Sequence, residues 1–314
     1  MNRTASIRLL GLLFIAAGNI ARAGSYDSGT QVGTVTASSI TEASGVAVSR
    51  ANSNVLWTHN DHNSTDSTAR IFALSTTGSL RATYTLSGVT ADDTEDIAVG
   101  PGPSAGVSYL YLGDIGDNSS SRTSISVYRV PEPIVGSGGA LGGVDTITLA
   151  YPAADGAHDA ETLIVDPLSA DIYVLTKSTT HTRLYRVAAP QTLSGTTTMQ
   201  YLENVDVVTK ATGGDISLSG AKIIVRNDTE AYEWTRSPGQ TIAAALAGTP
   251  QTIPLQTELQ GEAIGYSSSP AGFYTMSEGT NQPLYFYAAV PEPTTLGVLS
   301  LTLTLLLRRP ERLS

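Results

Sequence analysis

The sequence predicts an all-β fold, a single β-propeller of five four-stranded blades. Three observations predict this fold. A short apolar strand motif recurs along the chain, its copies are separated by 51, 66, 53 and 48 residues, and each copy is followed by further segments rich in β-branched and aromatic residues. A repeat of this length with three or four strands per unit is typical of a propeller. Six blades and a two-sheet β-sandwich are the alternatives.

The N-terminal segment has the composition of a signal peptide. A basic start precedes an apolar stretch at 9–17, and Ala21 and Ala23 place small residues at the −3 and −1 positions before Gly24. Small residues at these positions fit cleavage by signal peptidase, and the apolar stretch is too short to be a stable membrane span. We therefore expect residues 1–23 to be removed and the protein to be exported.

Each predicted blade begins with the recurring motif and continues through a second and a third strand. The first strands lie at 44–48, 95–99, 161–165, 214–218 and 262–266. The second strands lie at 55–58, 109–112, 172–175, 222–225 and 273–276, and the third at 70–74, 125–130, 183–187, 231–235 and 283–288. Fourth strands are predicted at 80–86, 146–151, 199–205 and 251–255.

The last blade has no fourth strand of its own before the C-terminal segment. Residues 31–37, upstream of the first motif, are placed to supply this strand and so to close the ring. A closed ring leaves few exposed strand edges. The sequence therefore predicts one propeller domain at 24–289.

The C-terminal segment, residues 290–314, has three parts in a fixed order. They are the motif Pro291, Glu292 and Pro293, an apolar stretch at 296–307, and the basic pair Arg308 and Arg309. This arrangement resembles the PEP-CTERM sorting signal of bacterial proteins that an exosortase processes. The resemblance implies a short hydrophobic membrane helix, marginal in length for a bilayer, which the arginines hold on the cytoplasmic side. It further implies removal of the tail by an exosortase-type enzyme and release to the cell surface or the extracellular matrix.

Three polar stretches of the body carry a second resemblance. They read Leu-Trp-Thr-His-Asn-Asp at 56–61, Tyr-Leu-Gly-Asp-Ile-Gly-Asp-Asn at 111–118 and His-Asp-Ala-Glu-Thr-Leu at 158–163. In these stretches the chain resembles secreted bacterial propeller proteins of the esterase-like phytase and gluconolactonase-type class. The resemblance implies a propeller fold and brings no established catalytic motif with it.

Composition excludes several kinds of chemistry. The chain has no cysteine, which excludes disulfides, thiolate metal sites and cysteine nucleophiles. It has no Gly-x-Ser-x-Gly elbow, no phosphate-binding glycine loop with lysine and no His-x-x-x-His pair, so we expect no organic cofactor and no zinc. The formal net charge of −10 argues against nucleic acid as a partner and suits cation binding.

Acidic residues recur at matching positions of the predicted inner strands. One ring of positions holds Ser44, Glu95, Glu161, Gly214 and Glu262, and two positions earlier lie Glu42, Asp93, Asp159, Thr212 and Gln260. Crowded carboxylates repel one another unless they are protonated, paired or bound to a cation. The six carboxylates therefore predict either structural ties to backbone N–H groups between blades or a site for calcium or another divalent cation.

Polar residues also follow the second strands, where we expect them to converge on one mouth of the channel. They are His59, Asn60, Asp61, Asp114, Asp117, Asn118, Lys177, Arg226, Asn227, Asp228 and Glu278. Mixed acids, amides and cations suit a polar ligand or metal-assisted hydrolysis. Because Asn and Asp are also common turn formers, turn formation is the alternative explanation.

Two functions fit these patterns. The first is an exported binding or interaction module for extracellular polysaccharide or a small polar ligand. The second is a divalent-metal-dependent hydrolase of an ester, lactone or phosphoester. Propellers host both, so the discriminating observation is whether one mouth brings three carboxylate oxygens within reach of a single cation.

Overall fold

The computed structural model describes residues 25–61, 67–269 and 271–290, and these residues form a five-bladed β-propeller. The predicted signal peptide and the Pro-Glu-Pro sorting segment at 291–314 lie outside the described residues. Within the described ranges, no helix has the length and apolar character needed to cross a bilayer.

The chain opens with two short strands and then builds the blades in sequence order, each from its inner strand outward. The opening strands are β1 (Ser25–Tyr26) and β2 (Thr30–Val35). Blade I contains β3 (Ala43–Val48), β4 (Val55–Asn60), β5 (Thr68–Ser75) and β6 (Leu80–Thr90). Blade II contains β7 (Thr94–Pro101), β8 (Ser108–Asp114), β9 (Ile125–Pro131) and, after the short β10 (Gly139–Leu141), β11 (Asp145–Ala150).

The remaining blades follow the same plan. Blade III contains β12 (Ala160–Val165), β13 (Ile172–Thr176), β14 (Arg183–Val187) and, after the short β15 (Thr196–Thr198), β16 (Gln200–Asn204). Blade IV contains β17 (Gly213–Ile216), β18 (Lys222–Arg226), β19 (Glu230–Thr235), the one-turn helix α1 (Ile242–Leu246) and β20 (Gln251–Pro254). Blade V contains β21 (Gly261–Ser268), β22 (Ala271–Ser277) and β23 (Gln282–Val290). The blade count and the strands predicted from the repeat are confirmed.

The N-terminal strand closes the ring. β2 pairs antiparallel with β23, from Thr30 opposite Phe286 to Val35 opposite Gln282, and β1 continues along the same edge of β23. The predicted closing strand at 31–37 is therefore confirmed. Blade V obtains its fourth strand from the opposite end of the chain, so the first and last segments hold each other in place.

An apolar cluster fills each interface between neighbouring blades. The cluster between blades I and II includes Trp57 and Tyr84, both of blade I, whose ring centroids are 5.9 Å apart, together with Leu110 of blade II. Between blades V and I, Val35 of the closing strand packs in one cluster with Phe72 and Met276. The inner strands are buried on both faces, which explains why their sequences are nearly continuous apolar runs.

Two three-residue strands cover outer blade edges, and the repeat does not predict them. β10 pairs in parallel with β6 of the preceding blade, and β15 pairs in parallel with β11. Each lies in the connection between the third and fourth strands of its own blade. An outer strand otherwise presents unpaired backbone groups to solvent, so these short strands protect two of the sheet edges.

Removal of β1 and β2 tests the closure. A chain that begins at Ser38 leaves one edge of β23 unpaired and takes Val35 out of the core. We expect its melting temperature to lie at least about 5 °C below that of a chain that begins at Ser25. Differential scanning calorimetry of the two chains measures the difference. Equal melting temperatures would show that the β2–β23 pairing does not close the ring.

Candidate functional site

The inner strands of the blades surround a central channel. They contact one another in the closed order β3, β7, β12, β17, β21 and back to β3. The starts of these strands form one end of the channel, the acidic mouth, defined by Asp61, Asp93, Glu95, Asp159 and Glu161. Their ends form the other end, the apolar mouth, which contains Val48, Val99 and Ile216.

A β-bulge interrupts the start of the inner strand in four blades. The extra residue is Glu95 in blade II, Glu161 in blade III and Glu262 in blade V, and Ser44 lies within the bulge of blade I. Blade IV pairs without interruption and has Gly214 at this position. A bulge turns a side chain away from the regular alternation of the strand. Four of the five ring positions predicted from the repeat therefore lie in bulges.

Ser44 connects two of the ring glutamates. Its hydroxyl donates a 2.6 Å hydrogen bond to the backbone carbonyl of Glu95. The same oxygen lies 3.4 Å from Glu95 Oε2 and 3.2 Å from Glu262 Oε2. The third glutamate, Glu161, forms an ion pair with Lys177 Nζ at 2.5 Å. The structure thus brings the three predicted glutamates to one level of the channel. Lys177 is the cationic side chain that contacts one of them, Glu161.

Two sets of carboxylates at the acidic mouth fit a single cation each. The first set is Asp61, Asp93 and Glu95, and the second is Glu95, Asp159 and Glu161; within each set one oxygen per residue lies within 4.8 Å of the others. Two oxygens on opposite sides of a calcium ion, each at about 2.4 Å, are about 4.8 Å apart. The condition of three carboxylate oxygens within reach of one cation is therefore met twice, and Glu95 belongs to both sets.

Burial and mutual repulsion raise the pKa values of these carboxyls. Burial raises the pKa of Glu95 well above its usual range, and Glu161, Asp61 and Asp93 add to the effect. Burial and Glu262 raise the pKa of Glu161 to about 9 even though Lys177 opposes them. Burial and then Asp159 raise the pKa of Asp93. Protons therefore occupy part of this site at neutral pH when no cation is bound, and a cation would displace them.

Glu161 has an oxygen that no described residue satisfies. Its side chain is 4% exposed, and Oε1 pairs with Lys177. Oε2 is buried and has no hydrogen-bond partner among the described residues. An unsatisfied buried acceptor costs about 1–3 kcal/mol, and more when it is charged. Such a group calls for a water or an ion as its partner.

The loop after β8 fixes both oxygen sets. A Cβ on Gly116 would lie 2.3 Å from Glu95 Oε1 and 2.5 Å from Asp93 Cγ, so only glycine lets the backbone approach the carboxylates this closely. The next residue, Asp117, donates its backbone N–H to Asp159 Oδ1 at 2.8 Å. The sequence stretch at 111–118 therefore forms part of the wall of the acidic mouth.

Several predicted mouth residues serve as ties in turns and loops. Their side-chain oxygens accept hydrogen bonds from nearby backbone N–H groups, and they are Asn60, Asp114, Asp117 and Asn227. Asn118 and Asp228 are exposed at loop positions. Turn formation accounts for Asp117 and Asn227, whose donors lie two to five residues further along the chain. Asn60 and Asp114 instead tie the end of a second strand to the segment just before the first strand of the same blade.

His59 and Arg226 are fully buried. His59 Nδ1 lies 2.8 Å from the carbonyl of Asn60, which can only accept, so this nitrogen carries the proton. Burial lowers the pKa of His59 to about 4, and the ring is neutral. Arg226 forms a 2.7 Å ion pair with Glu258, and both side chains are 0% exposed. Arg226 therefore holds a structural ion pair and is not available to a ligand at the mouth.

Glu278 and Lys177 lie at the rim of the acidic mouth. Gln260 Nε2 donates a 2.7 Å hydrogen bond to Glu278 Oε2. Burial, together with Glu262 and Glu42, raises the pKa of Glu278 to about 7. A cavity of about 470 Å³ opens here and is lined by Lys177, Gln260 and Glu262 among others. Its volume is in the range of small-ligand sites.

Two aspartates outside the predicted set, the buried Asp96 and the half-buried Asp215, tie the inner strands together. Asp96 accepts a 2.9 Å hydrogen bond from the N–H of Leu163 in the next blade. Asp215 accepts a 2.7 Å bond from the N–H of Tyr266 in the next blade. One explanation for the ring glutamates was that they accept hydrogen bonds from backbone N–H groups of neighbouring blades. Among the described residues, Asp96 and Asp215, rather than the glutamates, accept such bonds. Their sequence signal is an Asp directly after the ring position in the first strands of blades II and IV.

No protein-family profile matches the sequence, and no curated protein matches it. Solved structures with a similar fold include an auxiliary nutrient binding protein from Bacteroides thetaiotaomicron, at TM-score 0.44 and 7% identity over 80% of this chain and 70% of that chain. A candidate 6-phosphogluconolactonase from Bacteroides uniformis matches at TM-score 0.40 and 15% identity, over 80% of this chain and 69% of that chain. The gluconolactonase XC5397 from Xanthomonas campestris matches at TM-score 0.42 and 10% identity, over 82% of this chain and 89% of that chain. At these values the similarity carries no argument about activity.

Proposed function

We propose that the protein is an exported propeller whose acidic mouth binds calcium or another divalent cation and, through that cation, an oxygen-rich polar ligand. The observation that carries the proposal is the position of Glu95, which belongs to both oxygen sets. A polysaccharide or a small polar molecule is the class of ligand that fits the rim cavity, because polar side chains predominate among its lining residues.

Electrostatic magnitudes support a cation. Two ionised carboxylates with oxygens no more than 4.8 Å apart repel by at least about 3 kcal/mol at an effective dielectric constant near 20, so without a cation the site relieves this repulsion by binding protons. Each set contains three such pairs. Lys177 pairs with Glu161, and Arg122 acts on Asp93 through space. Ser44 adds a hydroxyl but no charge. A divalent cation removes the repulsion and supplies a partner to Glu161 Oε2.

The donor atoms favour a hard cation. Both sets consist of carboxylate oxygens, and the chain has no cysteine. Oxygen ligands suit calcium, magnesium and manganese. Asp61, Asp93 and Asp159 are half-buried, so the bound cation would face the open mouth. Its remaining coordination positions are therefore accessible to water or to ligand oxygens.

Substitution of the shared glutamate tests the cation site. We expect Glu95→Gln to weaken calcium affinity at least about 10-fold, because it removes one charge from both oxygen sets. Calcium at a hundredfold excess over its dissociation constant should increase the free energy of unfolding of the wild-type protein by about 2.7 kcal/mol. The melting temperature should therefore rise when calcium is added. Isothermal titration calorimetry and thermal melts measure the two effects.

Glu203→Gln is the matched control, because Glu203 lies in β16 at the outer edge of blade III. Its calcium response should equal that of the wild-type protein. Identical wild-type melting curves in chelator and in calcium would rule out the cation site.

Hydrolysis of an ester, lactone or phosphoester is the second candidate function, and Glu278 favours it. A pKa of about 7 is suitable for a general base at neutral pH. A divalent cation supplies Lewis acidity towards a carbonyl or phosphoryl oxygen. Glu278 would accept the proton of the attacking water, and Gln260 holds its carboxylate in place.

The pH dependence of turnover tests this role. Glu278 acts as a base only when ionised, so kcat/KM should rise with pH through about 7. Glu278→Gln should lower kcat/KM by about 10²–10⁴-fold and leave calcium affinity unchanged. A panel of lactones, aryl esters and aryl phosphates with calcium or manganese provides the measurement. Absence of turnover across the panel in protein that binds calcium would contradict this second function.

Export and sorting are part of the proposal. We expect the exosortase-type enzyme of the native host to remove the segment that follows the Pro-Glu-Pro motif. Mass spectrometry of the protein from that host should then find no peptide from residues 296–307. Glu292→Ala should leave the tail attached, because it alters the motif. Recovery of the wild-type protein with its tail intact would contradict the sorting proposal.

A further inference from the structure

The apolar mouth of the channel opens into a second cavity, of about 660 Å³. It lies at the ends of the inner strands, whereas the acidic mouth lies at their starts. Val48, Val99, Ile216 and Leu218 form much of its wall, and Leu218 is exposed. The cavity has the size of a site for a small organic molecule.

Arg50 lines this cavity and lacks a partner for its guanidinium. Its backbone N–H bonds to Glu132, but among the described residues its side chain has no hydrogen bond and no ion pair. The side chain is half-buried, and burial lowers its pKa. A cation held in a partly apolar wall without a counter-ion in contact with it is unfavourable.

The two carboxylates near Arg50 are already occupied by other donors. Glu132 accepts hydrogen bonds from Trp57 Nε1 at 2.8 Å and from Ser108 Oγ at 2.5 Å. Asp215 accepts from the backbone N–H groups of Ile216 and Tyr266. Both acids act on Arg50 only through space. The structure therefore leaves the guanidinium with its hydrogen-bonding capacity unused.

The other cation of the cavity wall is neutralised, in contrast to Arg50. Lys222 Nζ lies 3.0 Å from Glu233 Oε2 and donates to the hydroxyl of Tyr26 at 3.2 Å. Tyr266 also donates its hydroxyl to Glu233, at 2.7 Å. This network balances one positive and one negative charge. Arg50 is thus the cation of the wall whose guanidinium forms no ion pair among the described residues, although Asp215 also lines the cavity and acts on Arg50 through space.

We propose that the apolar mouth binds a small organic anion, an alkyl or aryl carboxylate. The carboxylate pairs with Arg50, whose planar guanidinium matches two carboxylate oxygens. The apolar body of the ligand lies against Val48, Val99 and Leu218. This site is separate from the acidic mouth and does not depend on a divalent cation.

Calorimetric titration with 4-phenylbutyrate tests the proposal, and 4-phenylbutan-1-ol is the uncharged ligand of matched size. We expect the wild-type protein to bind the acid at least about 10-fold more tightly than the alcohol, because only the acid forms charge-assisted bonds. Arg50→Gln should remove that difference and leave alcohol binding unchanged. The control is Arg81→Gln, since Arg81 is exposed on β6, and it should bind like the wild-type protein.

Ala271→Trp is a second variant that fills the cavity without a change of charge. Ala271 lines the cavity and is exposed, so the fold accommodates a larger side chain there, and both ligands should lose affinity.

Binding of 4-phenylbutyrate should be the same in chelator and in calcium, and this result distinguishes the site from the acidic mouth. Equal affinities of the wild-type protein for acid and alcohol would overturn the proposal. Undiminished binding by Arg50→Gln, or binding to anionic phospholipid vesicles without binding of 4-phenylbutyrate, would also overturn it.

Discussion

Repulsion between carboxylates in the closed channel is the interaction on which the acidic mouth depends. Closing the ring brings the inner strands together, and the bulges place Glu95, Glu161 and Glu262 at one level. Like charges at this spacing oppose the compact state unless something compensates them. The protein compensates in part, with Ser44 beside two glutamates and Lys177 beside the third. The repulsion that remains is the basis for the proposed cation.

The buried acids differ in whether their carboxylate oxygens accept hydrogen bonds, and this difference separates the structural acids from those of the proposed cation site. Asp96 is buried and Asp215 is half-buried, but backbone N–H groups of their own and the next blade satisfy both carboxylates. Glu161 is buried as Asp96 is, yet one of its oxygens has no partner among the described residues. Stability of the ring comes from the apolar clusters between blades and from the closing strand. The proposed cation site uses the carboxylate oxygens that hydrogen bonds within the protein leave unsatisfied, above all Glu161 Oε2.

The repeat made most of the fold predictable from sequence. A regular spacing of apolar strand motifs identifies every blade, and the missing fourth strand of the last blade points to the N-terminal segment at 31–37. The short parallel strands β10 and β15 were not predictable, because three residues paired at an outer edge carry no periodic pattern. The ring glutamates were predictable because the repeat aligns them.

The roles of the other polar residues depend on partners that the sequence does not reveal. The donors to Asp96 and Asp215 lie in neighbouring blades, so an aspartate in an inner strand has no visible partner in the local sequence. The same holds for Arg50. Its guanidinium has no ion pair among the described residues because other donors already occupy Glu132 and Asp215, and the sequence does not show those donors. The sequence places His59 and Arg226 after predicted second strands, as it does the mouth residues, but both lie inside the observed strands β4 and β18, and the blades bury them completely.

Anomalous diffraction from crystals of the protein grown with manganese tests the central claim most directly, because manganese shares the oxygen preference of calcium. We expect a strong anomalous peak at the acidic mouth, bound to the carboxylate of Glu95 and to oxygens of one of its two sets, with Glu161 Oε2 satisfied by the ion or by a water bound to it. Crystals that contain manganese at other positions but none at the acidic mouth, with waters alone between the carboxylates, would contradict the account.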